Sequence, residues 1–268
     1  MATTKTPKKP AAKKSAKAAK APAARMTLAE VMRILEKSGT AQTKKTYLRH
    51  GAKEPMFGVL FAKLKELQNR IGVDHELAHA LFDTGNFDAQ NLAMKIVDPA
   101  RMSSADLDRW ARCYQVRMCG MYMSALAAEG PHASSKAVQW LASKDEGIRC
   151  AAWGLVGQMA CRDEMSPDSW FSSRLAEIER TIHEAPNSER AAMNMAVIQI
   201  GGRNAALRKA ALAAAKRIGT VHIDHGDTSC KTPEAPAYIE KMWAFAGSKK
   251  FESPAAQERN RESPRTRC

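Results

Sequence analysis

Residues 145–219, DEGIRCAAWGLVGQMACRDEMSPDSWFSSRLAEIERTIHEAPNSERAAMNMAVIQIGGRNAALRKAALAAAKRIG, decide the fold. The stretch divides into apolar-periodic runs over 145–161, 167–184, 188–200 and 204–218, each of helical length and each separated by a short polar break. Ser166-Pro167 has the form of an N-cap followed by proline at the first helical position, where the missing N–H costs nothing. Most runs carry their apolar residues on one side.

The same pattern extends in both directions. Upstream, Thr27-Leu-Ala-Glu30 is a capping box that opens TLAEVMRILEKSG, and TAQTKKTYLRHG stops at Gly51. VLFAKLKELQNRIG places Val59, Leu60, Leu64, Leu67 and Ile71 on one stripe; DHELAHALFDTG, FDAQNLAMKIVDP and SSADLDRWARCY follow. Further runs cover 116–128 and 134–142, and PAYIEKMWAFAG is the last. Alternating strand patterns are nearly absent, Thr220–Ile223 being the short exception, and VHIDHGDTSCKTPEA reads as a loop. One-sided helices joined by short loops suit a stack in which each helix buries a single stripe. The expected fold is all-α: a curved α-solenoid of antiparallel HEAT-like helix pairs over residues 26–248.

The chain carries 42 Lys+Arg against 28 Asp+Glu, a net charge of +14 in 268 residues. Residues 1–25 hold Lys5, Lys8, Lys9, Lys13, Lys14, Lys17, Lys20 and Arg25 with no acid, among alanines and prolines. Such a segment has no large apolar side chains to offset its ordering entropy, so it is expected as a disordered basic tail suited to a polyanion. Residues 249–268 are expected as a second, polar disordered tail. The scattered cysteines form no CxxC, which indicates a reduced compartment rather than a disulfide scaffold. No run approaches the length of a membrane span.

His75-Glu76-Leu77-Ala78-His79 matches the zinc-peptidase pattern HExxH, two imidazoles and a carboxylate on one helix turn; the alternative is a solvated histidine pair. His222, Asp224, His225, Asp227 and Cys230 admit either a metal site or a polar loop between helices. Lys44, Lys45 and Arg49, with Lys53 just after, present cations at helical spacing. Arg149 and Trp153 share a face, as do Arg190 and Asn194, and Arg112, Arg117 and Lys231 add charge. If stacking brings these faces together they line one concave, phosphate-binding surface; taken singly, each cation also fits a solvated helix face, and Trp153 also fits a core position.

YLRHGAKEPMFGV, VDHELAHALFDTGNFDAQNLAMKIVDP, LDRWAR, IRCAAWGLV, RAAMNMAVIQIGGRN and AAAKRIGTVHIDHGDTSCKTPEAPAYIEK together resemble the AlkD-like DNA alkylation repair proteins over about residues 27–244. The resemblance implies a HEAT-like repeat protein that grips double-stranded DNA as a monomer, without metal, cofactor or membrane, in the cytoplasm at the nucleoid. It implies N-glycosylase activity on cationic N3- and N7-alkylpurines, in which an Asp and aromatic side chains stabilise the positive charge that develops on the sugar. Aligned without a gap, the family's aromatic position reads Arg117 and its Asp position Met121. The second aromatic position falls at Asn194–Met195, and Arg149 matches the basic position that faces DNA. The neighbouring acids Asp108 and Glu129 stand about two turns away. Two functions therefore compete first: base excision, and non-catalytic damage recognition or DNA architecture. A peptide-binding solenoid and the zinc peptidase rank below them.

Overall fold

The computed structural model describes residues 25–113 and 120–267. Among these the fold is all-helical: α1 (Leu28–Ser38), α2 (Ala41–Arg49), α3 (Phe61–Ile71), α4 (His75–Asp83), α5 (Phe87–Ile96), α6 (Ser104–Cys113), α7 (Gly120–Glu129), α8 (Ala133–Leu141), α9 (Glu146–Arg162), α10 (Asp168–Thr181), α11 (Asn187–Gly201), α12 (Ala205–Ile218), α13 (Ala235–Ser248), α14 (Pro254–Arg259) and α15 (Pro264–Arg267). The only extended pairing among the described residues is an isolated bridge between Gly39 and Val59. The basic segment 1–24 lies outside the described residues.

Local chemistry sets the helix starts. The Thr27 amide donates to Glu30 Oε2 at 2.7 Å and the Glu30 amide returns to Thr27 Oγ1 at 3.3 Å, the expected capping box. Asp74, Asn86, Asp145 and Asn204 cap α4, α5, α9 and α12 through their side-chain oxygens. Ser166 does not cap α10, which starts at Asp168. The Asp168 carboxylate instead accepts from Arg203 Nε at 3.2 Å and Asn204 Nδ2 at 2.8 Å, tying the start of α10 to that of α12.

Packing yields two layers. Helices α5, α7, α9, α11 and α13 pack in succession, and α4, α6, α8, α10 and α12 back them, as HEAT-like pairs require. The inner helices are not one-sided. All ten residues of α5 are buried, including Asp88, Gln90, Asn91 and Lys95, because α3, α4, α7 and the C-terminal segment surround it. Each of these four side chains makes a hydrogen bond. Asp88 accepts from the amides of Phe57 (2.7 Å), Gly58 (3.0 Å) and Val59 (2.9 Å), fixing the loop between α2 and α3. At Gly58, φ is +81° and a Cβ would stand 2.7 Å from the Thr40 carbonyl oxygen, so this contact requires glycine.

The expectation for residues 249–268 needs correction, because 249–267 are folded against the stack. The chain runs back along the C-terminal ends of the inner helices. The Ala255 amide donates to Gly202 O at 3.0 Å beyond α11. Arg162, at the end of α9, pairs with Glu258 at 3.1 Å. Arg265, only 5% exposed, pairs with Glu129 at the end of α7 at 2.7 Å and donates to Met94 O (2.8 Å) and Lys95 O (3.2 Å) at the end of α5. Lys65 on α3 pairs with Glu262 at 3.1 Å. The segment looks polar because its cations meet helix C-termini, whose carbonyls lack intrahelical partners and carry partial negative charge.

Arg265→Ala leaves those carbonyls and the Glu129 carboxylate without their donor, and is expected to lower the unfolding free energy by about 3 kcal/mol. Urea denaturation checks this; a loss below roughly 1 kcal/mol would mean that the segment only rests on the stack.

Candidate functional site

A cleft of about 640 Å³ opens between the start of α7, the outer face of α9 and the middle of α11. Its depth comes from small residues. A Cβ on Gly154 would fall 2.3 Å from Ser124 Oγ, and one on Gly157 would fall 1.8 Å from Gln199 Oε1, so the two glycines leave room for these side chains to lie against α9. Ser124 Oγ closes the α7 contact by donating to Ala151 O at 3.1 Å. Met121, Met195, Gln158, Gln199, Asp145 and Glu146 are among its lining residues, Gln158 buried and the two acids exposed. Met121 is 51% exposed and Met195 38%.

The two positions that the resemblance assigns to the Asp and the second aromatic residue thus meet on one cleft. Of the pair Asn194–Met195, it is Met195 that faces it. Asn194 is buried and donates to Pro233 O at 2.9 Å, holding the loop before α13. Arg117 lies outside the described residues.

Among the other sequence candidates, several work for the fold. Trp153 is 1% exposed, so it is a core residue and not a surface for stacking bases. Its Nε1 donates to Glu189 Oε1 at 3.3 Å. Arg149 grips the same carboxylate, Nε to Oε2 at 2.9 Å and Nη2 to Oε2 at 2.9 Å, and donates through Nη1 to Ser143 O at 3.0 Å. The Glu189 hydrogen bond pushes the Arg149 pKa above its ordinary value. Arg190 is spent on four carbonyls: Ile182 (3.2 Å), His222 (2.9 Å), His183 (3.2 Å) and Ala185 (2.9 Å). It ties the end of α10 to the loop after α12, and a guanidinium so engaged is not presented to phosphate. Lys44 pairs with Glu54 at 2.7 Å. Lys45, Arg49 and Lys53 are exposed on and just after α2, and Lys231 is exposed on the 219–234 loop. Helix α2 shares no packed interface with α9 or α11, so these cations do not line the cleft as one surface.

The metal readings fail on side-chain geometry. Glu76 is held by Arg101 at 2.6 Å, so it is not poised as a base beside the histidines. The His75 and His79 rings lie 4.6 Å apart, and His79 packs 5.2 Å from Trp110. Among the described residues no three potential ligands converge. His225 hydrogen-bonds Thr232 Oγ1 at 3.0 Å, and Asn187 donates to Asp224 O at 2.8 Å, as in a polar loop.

What sequence reading missed is Gly154 and Gln158 in the cleft lining, with Gly157 behind them. The glycines were visible as letters, but only the packing shows what they admit. No helix among the described residues is long and apolar enough to cross a membrane.

Residues 31–239 match the family described as DNA alkylation repair enzyme. An uncharacterized protein of Listeria innocua is 25% identical over 205 residues, 74% of this chain and 89% of that protein. An uncharacterized protein of Listeria monocytogenes is 24% identical, with the same coverage. A solved structure superposes with a TM-score of 0.75 at 31% identity, covering 85% of this chain and 97% of that one. It is described as belonging to a new family of proteins related to the HEAT-like repeat DNA glycosylases, with affinity for branched DNA structures.

Burial against Trp110 lowers the His79 pKa; the carboxylates of Asp106 and Asp83 oppose the shift, and His75 and Arg109 reinforce it. The unfolded chain then binds a proton that the folded one refuses. This stabilisation is complete above the unfolded value of about 6.5 and declines as pH falls through it, levelling off below the folded value. Melting temperature is expected to drop between pH 7.5 and 5.5, and His79→Gln to flatten the drop. An unchanged slope in that variant would assign the pH dependence to other groups.

Proposed function

The chain belongs to the DNA alkylation repair enzyme family, and on that premise we propose that it binds DNA at branched or distorted double-helical sites without excising bases. The observation that carries this reading is Met121, exposed on the cleft wall where the resemblance places the catalytic Asp. An alkylpurine already leaves as a cationic base, so its excision depends on an anion beside the sugar where positive charge develops. A thioether supplies none.

Each nearby carboxylate already accepts a hydrogen bond within the fold. Asp145 Oδ1 caps α9 by accepting from the Ile148 amide at 2.9 Å, and Glu146 accepts from the Ser188 hydroxyl. Asp108 is bound by Lys136 and by Trp140 Nε1, each at 2.7 Å. Glu129 belongs to Arg265.

Affinity for branched DNA in the structural relative supports the choice of ligand. Phosphate contacts fall to Lys45, Arg49, Lys53 and Lys231, joined by the lysines of the N-terminal segment. Arg149 holds its place through Glu189, so its removal perturbs the fold as well as any contact.

The full chain is expected to bind a four-way junction at least about tenfold more tightly than a linear duplex in fluorescence anisotropy. Duplex binding should weaken with salt at a log–log slope of about −0.9 for each phosphate contact. Methylated duplex DNA should release no 7-methylguanine; enzymatic release would restore the base-excision reading.

Deleting residues 1–24 removes seven lysines and no described core residue. Junction affinity is expected to fall and the salt slope to shrink, with the melting temperature unchanged. A large drop in melting temperature would show that the segment belongs to the folded body.

A further inference from the structure

We propose that the open face of α13 is a second DNA contact, one that takes an arm of a branched DNA. This rests on the DNA-binding reading above and names the surface that would tell a junction from a linear duplex.

A helical stack has two ends, and each exposes a helix face that no further repeat covers. Such ends need polar surfaces to stay in solution. At the first end α1 conforms, with Glu30, Arg33, Glu36 and Lys37 exposed around Leu28. Helix α13, the last of the inner layer, does not. Tyr238 and Phe245 are 41% and 52% exposed, and Ala237 and Ala244 lie open beside them. Tyr238, Lys241 and Phe245 are spaced i, i+3, i+7, so they form one stripe, and Lys249 extends it by another turn.

The chain itself turns away from this face. Lys250 takes φ +61°, the only positive φ outside glycine among the described residues. The Phe251 amide then donates to Ala246 O at 3.0 Å, and the segment beyond runs back to the C-terminal ends of α9, α7 and α5. A left-handed residue at a helix end is ordinarily glycine, which has no Cβ to clash there. Lysine at this position keeps a cation at a conformational cost, and that calls for a use of the cation.

Charge selects the occupant. Lys241, Lys249 and Lys250 make no ion pair among the described residues. Glu240, on the same helix, is bound by Arg208, and Glu234 and Glu252 stand off the two ends of the stripe. Lysines interleaved with exposed aromatic rings suit nucleic acid: the cations meet phosphates while the rings pack against sugars and open base faces. Base faces are open where arms diverge, and a continuous duplex offers none along its length. The other exposed cations, on α2, lie at the α5 end of the inner layer, where Tyr47 meets Phe87 at 5.5 Å. A duplex segment and a diverging arm are then held at separate points. A second copy of this chain fits less well. Antiparallel pairing that sets Tyr238 against Phe245 of another copy centres between Lys241 and Met242, and so brings two Lys241 ammonium groups together.

Fluorescence anisotropy on the full-length protein tests this with a four-way junction and a linear duplex of the same arm sequence. Tyr238→Ser and Phe245→Ser together leave the net charge unchanged, so sequence-independent attraction to phosphate stays as it was. That double variant is expected to lose about tenfold in junction affinity and to bind the duplex as the wild type does. Lys241→Gln should lose about threefold on the junction alone. Lys250→Gly should weaken junction binding while the melting temperature holds or rises, since glycine relieves the left-handed position. A junction preference preserved in both the aromatic and the Lys241 variants overturns the inference and leaves the DNA-binding reading intact. Equal losses on both probes overturn it too, because the face then does not distinguish an arm. Light scattering that finds a wild-type dimer, broken by the aromatic variant, overturns it in favour of self-association. A wild-type chain that does not prefer the junction sinks the branched-DNA reading, and the inference with it.

Discussion

The contact on which the rest depends is the approach of α9 to α7 and α11. At Gly154 and Gly157 the absence of a side chain lets Ser124 and Gln199 occupy space that a Cβ would take. Protein interiors tolerate little change in volume at such points. Helix α9 is the spine of the inner layer, packed against both α7 and α11, and the same three helices line the cleft. The same spine carries Arg149 and Trp153, which converge on Glu189 and join α9 to α11 a second time.

Charge in this protein is used in two ways that composition does not separate. Arg149, Arg162, Arg190, Arg203 and Arg265 are structural cations. Arg203, for example, donates to Ser166 O at 2.9 Å while pairing with Asp168. Their forks suit helix C-termini, where several carbonyls point the same way. Among the described residues the exposed cations are lysines and arginines alike, and none lines the cleft. A chain of +14 therefore does not present a basic wall at the cleft beside α9, which is lined by thioethers, amides and the acids Asp145 and Glu146.

The buried polar residues of α5 show why periodicity alone misjudged the inner layer. Asp88, Asn91 and Lys95 read as a polar face, yet the whole helix is buried. Lys95 Nζ donates to Arg265 O at 3.0 Å and stands 4.5 Å from the centre of the Tyr122 ring. Its partners lie some 170 positions away and on another helix, beyond the reach of any local pattern. The C-terminal segment was misread for the same reason, since a polar stretch that binds polar helix ends looks like a solvated one.

Read alone, the sequence determined the helical class, most of the helices of residues 26–248, the capping box at Thr27 and the family resemblance, because these rest on local spacing and on motifs kept in order. The resemblance, aligned without a gap, sets Met121 at the family's Asp position. Tertiary structure decided which candidates were free to act. Trp153, Arg190 and Asn194 were drawn into the fold, the histidine pair was packed against Trp110, and Met195 was turned to the cleft beside Met121. The physical reason is that a side chain's availability depends on what packs across from it, and in a helical stack that partner comes from a distant turn of the chain.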